Sequence, residues 1–357
     1  MAIRMPNSEA APPEDKPALR RVSTGSVVTA VVLSLAGLGL IAFYTVEPDT
    51  WDQMAHVNLW GLVLAALTVV LRVFCGTWRL AYVSKGRLKW MGAFRAQLAW
   101  DFFSNVTPSA IGGGPIAPAY IVRDSRISPG DATSIMLFAM LLDQIWFALA
   151  IVIVLYLGLH IEIIPASFGT LGDITFTAYF VGFILWVLVF GYLTLVRPAL
   201  LRKIIDWVFH AVILRRFRDS VLRMMSQLQE RAHILRTQRV SFYVKGFVLT
   251  IAVWLSRYLL VVAILWSVSP SVDQVLALLR TVAMMLGALI LPTPGGAGGI
   301  EGLYALMVGP LIPEALVAPT LLIWRLLGYY VFLAVGAYIT VHQVERTIRR
   351  RKDEASP

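Results

Sequence analysis

Seven charged residues, Arg72, Asp101, Asp143, Arg257, Arg280, Glu301 and Arg325, stand inside stretches of the chain that are otherwise apolar. A lone charge near a bilayer centre costs at least about 2.5–3.5 kcal/mol, so each needs a partner, an escape to the interface or a function. Asp143, Arg257, Glu301 and Arg325 lie deepest in their stretches and are expected to converge near the midplane. An arginine fork makes two charge-assisted bonds to a phosphate at once. Arg257 and Arg325 are therefore candidate contacts for an anionic head group. Glu301 and Asp143 are candidates for receiving an amine or a coupling proton. Glu301 has two further readings: it caps the helix that follows it, where the macrodipole favours a carboxylate, or it holds Arg325 in place. Arg72 is expected to snorkel to the nearer interface, and Arg280 to reach the outer one. Asp101 reads as a solvated or paired acid. Asp101 and Arg280 are secondary candidates.

Two runs of Pro and Gly carry the second kind of chemistry. The first is Thr107-Pro108-Ser109-Ala110-Ile111-Gly112-Gly113-Gly114-Pro115, and the second is Pro292-Thr293-Pro294-Gly295-Gly296-Ala297-Gly298-Gly299. Proline lacks the amide donor and glycine costs about 1 kcal/mol against alanine, so neither run continues a helix. Freed backbone amides at such breaks favour anions. Thr107, Gly113, Gly114, Thr293, Gly296 and Gly298 are the candidates there. The bland reading is that the breaks only let helices pack closely.

The elements that must position these residues follow from composition. The 357 residues are 58% hydrophobic and only 15% charged, whereas a soluble chain needs about a quarter charged. The sequence predicts an all-α polytopic membrane protein. Stretches of roughly 20 apolar residues occur at about 26–46, 57–79, 132–158, 174–196, 242–268 and 314–341, which are six expected crossings. Two more apolar stretches, 93–122 and 272–309, contain the breaks. Connectors 47–56, 159–173, 269–273 and 309–315 hold no Lys or Arg, while most of the 31 basic residues fall in 1–25, 79–95, 123–130, 197–241 and 342–357. The positive-inside rule then puts both termini in the cytoplasm. Each broken stretch enters and leaves on one face, so the two read as opposed re-entrant hairpins.

Thr107-Pro108 before Gly113-Gly114 and Tyr120 is echoed by Thr293-Pro294 before Gly298-Gly299 and Tyr304. This predicts an inverted repeat, about 57–158 and 242–341, within one membrane domain at 26–341. Inverted repeats with broken helices are a transporter architecture. Residues 1–25 and 342–357 read as a disordered tail and a basic tail. Within 197–241, the residues around 217–235 read as a basic amphipathic segment on an anionic leaflet, or simply as the positive-inside anchor.

One cysteine, Cys75, excludes a disulfide framework, and five scattered histidines form no metal pair. No nucleotide-binding loop or hydrolase motif occurs, so no cofactor is expected. The net charge of +10 is tied to the bilayer surface rather than to nucleic acid.

Leu291-Pro292-Thr293-Pro294-Gly295-Gly296-Ala297-Gly298-Gly299-Ile300-Glu301 is similar to a Pro-Gly-Gly-x-Gly-x-x-Glu signature. With Thr107-Pro108, Gly112-Gly113-Gly114-Pro115, Tyr120 to Arg123, Asp143, and Trp324-Arg325 before Gly328-Tyr329-Tyr330, it makes residues 25–345 resemble a known family. This is the lysylphosphatidylglycerol synthase transmembrane region, the flippase half of bacterial multiple-peptide-resistance proteins. Pro115 departs from the family, where many members carry an acid beside the glycines. The resemblance implies a multi-pass protein of the bacterial cytoplasmic (inner) membrane that moves an anionic or aminoacylated phospholipid between leaflets. It implies phospholipid partners, above all anionic lipids of the cytoplasmic leaflet, and a separate lipid-modifying synthase, and leaves oligomer formation open. It does not carry synthase activity. A membrane enzyme using Glu301 and Asp143 as acid and base, and a scaffold whose buried charges only pair helices, are the alternative readings.

Overall fold

Six helices of the computed structural model are long and apolar enough to cross a membrane: Val27–Thr45, Leu59–Val83, Asp131–Leu157, Ala166–Val189, Val240–Val268 and Glu314–Ile339. The structure describes residues 24–107, 121, 127, 129–195, 197, 200, 203 and 238–339, and these are helical with no strand among them. In chain order the helices are α1 (Thr24–Thr45), α2 (Thr50–Ala55), α3 (Leu59–Val83), α4 (Trp90–Val106), α5 (Pro129–Leu157), α6 (Gly169–Leu195), α7 (Val240–Val268), α8 (Gln274–Gly287), α9 (Gly299–Met307) and α10 (Val317–Arg325). A π-helical turn at Leu326–Tyr330 follows α10, and the helix then runs on to Ile339.

All six expected crossings are present, with shifted ends. The important shift is in α3, which continues to Val83 rather than stopping at residue 79. Arg79, the boundary residue that the basic-residue pattern had counted with the connector 79–95, now lies inside the helix with 3% of its side chain exposed. The short α2 also lies in a stretch read as a plain connector.

α3 and α7 pack antiparallel along their whole length. At one end a Cβ on Gly61 would lie 2.4 Å from that of Ser267, and the amide of Asn58 donates to the Ser267 carbonyl at 2.8 Å. At the other end the rings of Tyr82 and Phe242 stack at 5.3 Å. Such close approach needs a small residue at the crossing. Gly76 does the same for α4, since its Cβ would fall 2.5 Å from the Gln97 side chain. The core is built around α7: Phe147, Tyr258, Leu265, Met284 and Tyr304 on one side, and Leu80, Trp100, Met136 and Phe242 towards the end of α3. α1 and α6 are peripheral and display apolar side chains such as Phe43, Leu171 and Leu185 outward, as hydrocarbon-facing helices do.

Both breaks begin where proline demands. α4 ends at Val106, and Thr107 is extended (φ −108, ψ 157), the conformation that a following proline imposes. α8 starts on Asp273, whose carboxylate accepts from the amides of Val275 and Leu276, and it ends before Pro292. Gly295, Gly296 and Gly298 then take φ of +58, +71 and +86, a left-handed run that side chains resist. The chain turns back there. Arg280, midway along α8, donates to the carbonyl of Met307 at the end of α9 (3.5 Å) and to that of Glu162 (3.2 Å). Arg280 is therefore a buried clamp that ties this hairpin to the 159–173 connector.

Candidate functional site

The buried charges form two separate assemblies instead of one cluster. In the first, Glu301 is fully buried in the first turn of α9. Its Oε1 accepts from Arg325 Nε (2.8 Å), Arg325 Nη2 (2.5 Å) and Ser34 Oγ (2.5 Å). Its Oε2 accepts from the amide of Gly298 at 2.8 Å. Ser34 in turn accepts from the Tyr330 hydroxyl at 3.0 Å. The Arg325 guanidinium also lies 4.5 Å from the centre of the Tyr329 ring. Glu301 thus both caps its helix and holds Arg325, and it ties α1, α9 and α10 together.

The second assembly hangs on Asp101, whose side chain is 1% exposed. Its Oδ1 accepts from Arg72 Nη2 (2.6 Å) and Arg257 Nη2 (2.7 Å), and its Oδ2 from Gln97 Nε2 (3.0 Å). Arg72 does not snorkel. It donates to the Gly328 carbonyl at 3.3 Å, inside the π-helical turn, and sits 4.0 Å from the Phe332 ring centre. A π turn re-aims carbonyls away from the regular ladder, which is how one reaches Arg72. Asp143 accepts at Oδ1 from Arg79 Nη1 (2.5 Å) and from the Trp254 indole (2.8 Å). The same Trp254 ring lies 4.6 Å below the guanidinium of Arg257. Trp254 therefore joins the Asp143–Arg79 pair to the Arg72–Asp101–Arg257 triad.

Of the four residues expected to converge, Glu301 meets Arg325, and Asp143 neighbours Arg257 through Trp254. The two pairs sit on different helices, α9 and α10 for one and α5 and α7 for the other, and Arg72 of the second assembly reaches the Gly328 carbonyl just beyond α10. Asp101 is the hub of the larger assembly. Three helical spacings could have found it: Arg72 and Arg79 seven apart on α3, Gln97 and Asp101 four apart on α4, and Thr250, Trp254 and Arg257 at spacings of four and three on α7. Each set shares one face. Arg79 escaped notice because, at the very end of the expected crossing, it was counted with the basic residues of the connector 79–95.

In the second break, the described amides of Gly295, Gly296, Ala297 and Gly298 are taken by acceptors of the protein itself. The amide of Gly295 donates to the Thr107 carbonyl, those of Gly296 and Ala297 donate to the carbonyls of Thr293 and Pro294, and that of Gly298 is taken by Glu301. Left-handed glycines aim these donors at neighbouring carbonyls. Gly113, Gly114 and the basic segment around 217–235 lie outside the described residues. Among the described residues no three His, Cys, Asp or Glu side chains gather to hold a metal ion.

Exposure separates the arginines. The side chain of Arg257 is 25% exposed, against 7% for Arg72 and 4% for Arg325. The triad opens at Arg257, in the middle of α7.

This architecture matches the family model described as the lysylphosphatidylglycerol synthase transmembrane region over residues 24–336. The chain belongs to that family. It is also similar to a UPF0104 membrane protein of Archaeoglobus fulgidus, at 21% identity over 327 residues that cover 86% of this chain and 94% of the relative. In this member of the lysylphosphatidylglycerol synthase transmembrane-region family, every residue of both charged assemblies falls within the matched span. The Pro294–Glu301 run is the turn that presents Glu301 to Arg325.

Proposed function

We propose that this chain moves a phospholipid head group, anionic or aminoacylated, between the leaflets of a membrane and does no chemistry on it. The observation that carries the reading is Arg257: a charged, partly exposed guanidinium at mid-helix, held on the same carboxylate as the buried Arg72. A polar head group crossing hydrocarbon needs such a station, and its tails can stay in lipid. The antiparallel packing of α3 on α7, and the meeting of the two breaks at Gly295 and Thr107, fit an inverted repeat whose halves move about a central site. Glu301 and Asp143, the acid and base an enzyme would need, are each engaged by arginine, so translocation is the better-supported role. The membrane in this reading is the bacterial cytoplasmic membrane with both termini inside, and a separate synthase supplies any modified lipid.

The test is transbilayer flux of fluorescent phospholipids in proteoliposomes, with equal protein inserted. Arg257→Ala is expected to lower flux at least about tenfold, because a charge-assisted hydrogen bond contributes about 1.5–3 kcal/mol. Lys245→Ala, an exposed charge on the same helix, should leave flux unchanged. Wild-type protein that moves no phospholipid above the empty-liposome rate sinks the proposal.

A further inference from the structure

The charges within the two assemblies do not balance. Glu301 is neutralised by Arg325 and Asp143 by Arg79, but Asp101 alone faces both Arg72 and Arg257. The triad carries one positive charge in excess, in a region where water does not screen it. That excess is presented at Arg257, the one member with a quarter of its side chain exposed.

An aminoacylated head group makes the opposite demand. Its ammonium needs a carboxylate that no arginine has claimed. Asp101 accepts from three donors, and Glu301 accepts from four while fully buried. Asp143 has Arg79 and the Trp254 indole on its Oδ1, and the charge of Arg79 already balances its own.

Resting on the translocation reading, we infer that the site at Arg257 takes a lipid phosphate of net negative charge and rejects a head group whose amines outweigh its phosphate. The phosphate oxygens meet the exposed part of the Arg257 side chain and neutralise the triad. A head group of net positive charge adds repulsion to a site already cationic. The family to which the chain belongs bears the name of a cationic lipid, and the charge pattern of this member fits the anionic precursor type instead.

The experiment reconstitutes the full chain and follows phosphatidylglycerol, phosphatidic acid, phosphatidylcholine and lysylphosphatidylglycerol reporters in parallel. Native mass spectrometry of detergent-purified protein records retained lipid independently of transport. The expected result is flux of the two anionic lipids at least tenfold above that of lysylphosphatidylglycerol. Phosphatidylglycerol should be retained by wild type and lost from Arg257→Gln, and Arg257→Lys should keep the preference at reduced flux. Flux of lysylphosphatidylglycerol equal to that of phosphatidylglycerol overturns the charge inference while leaving translocation standing. Retention of phosphatidylglycerol through Arg257 without flux of any lipid supports the head-group assignment and removes translocation. Inorganic phosphate is the other source of the same chemistry. If it displaces phosphatidylglycerol at millimolar concentration and binds lipid-free protein equally well, the lipid part of the assignment is overturned.

Discussion

The amide of Gly295 donates to the carbonyl of Thr107 at 3.1 Å, so the two Pro/Gly breaks, separated by most of the chain, meet backbone to backbone. Residues 291–298 lie outside any helix, so their polar groups need other partners. Irregular backbone at that depth persists only where protein or a wet cavity supplies partners. Here each break partly satisfies the other, and the hairpin of α8 and α9 is seated on the end of α4.

That seating makes Gly295 sensitive. A Cβ there would lie 2.7 Å from the Tyr329 ring and 2.9 Å from the Asn105 carbonyl, on a residue with φ of +58. Gly295→Ala should lower stability by at least about 2 kcal/mol, since the left-handed conformation alone costs about 1–2 kcal/mol. Gly302, whose Cβ would meet nothing within 4 Å, sits in α9, where alanine is the better helix former by about 1 kcal/mol. Gly302→Ala should be neutral or stabilising. Thermal unfolding in detergent compares them, and equal melting temperatures would contradict the seated hairpin.

The Glu301–Arg325 pair should behave as one unit. Arg325→Met leaves a fully buried carboxylate with no counter-charge and should cost about 3–5 kcal/mol. Adding Glu301→Gln should recover most of that loss, because the uncompensated charge disappears with it. A double-mutant cycle on unfolding free energy reads the coupling. Strictly additive effects would mean that the two residues act independently.

Ser34 is the polar stitch between α1 and the rest of the molecule, donating to Glu301 and accepting from Tyr330. Ser34→Ala leaves both groups short of a partner, worth about 1–3 kcal/mol. Because α1 is peripheral, the loss should be local. Hydrogen exchange should quicken in Thr24–Thr45 while α3 and α7 keep their protection. Unchanged exchange in α1 would show that packing around Gly37 holds it without Ser34.

Orientation is open to chemical labelling because Cys75 is the chain's one cysteine and can be replaced. In a Cys75→Ala background, Asp52→Cys should react with an impermeant thiol reagent applied outside intact cells. Lys89→Cys should react only after permeabilisation. The reverse pattern would invert the topology inferred from the basic residues.

The six crossings were legible in the sequence to within about two turns, and so was where each of the two breaks begins. Hydropathy sums along the chain, and proline and glycine act on their own backbone, so neighbouring residues suffice to read both. Glu301 as a helix cap and a partner for Arg325 was legible for the same reason: its place in the first turn of α9 is a local fact. The partners of the other charges were not. Arg72 and Asp101 are 29 residues apart, Arg79 and Asp143 are 64 apart, and Arg257 and Asp101 are 156 apart. Which of these meet depends on how far each helix is rotated and how closely its neighbours approach, and that is set where Gly61 lets Ser267 in and Gly76 admits Gln97. Spacing along one helix shows that two residues share a face. Only the packed bundle decides what that face touches, and so which arginine is left to meet a ligand.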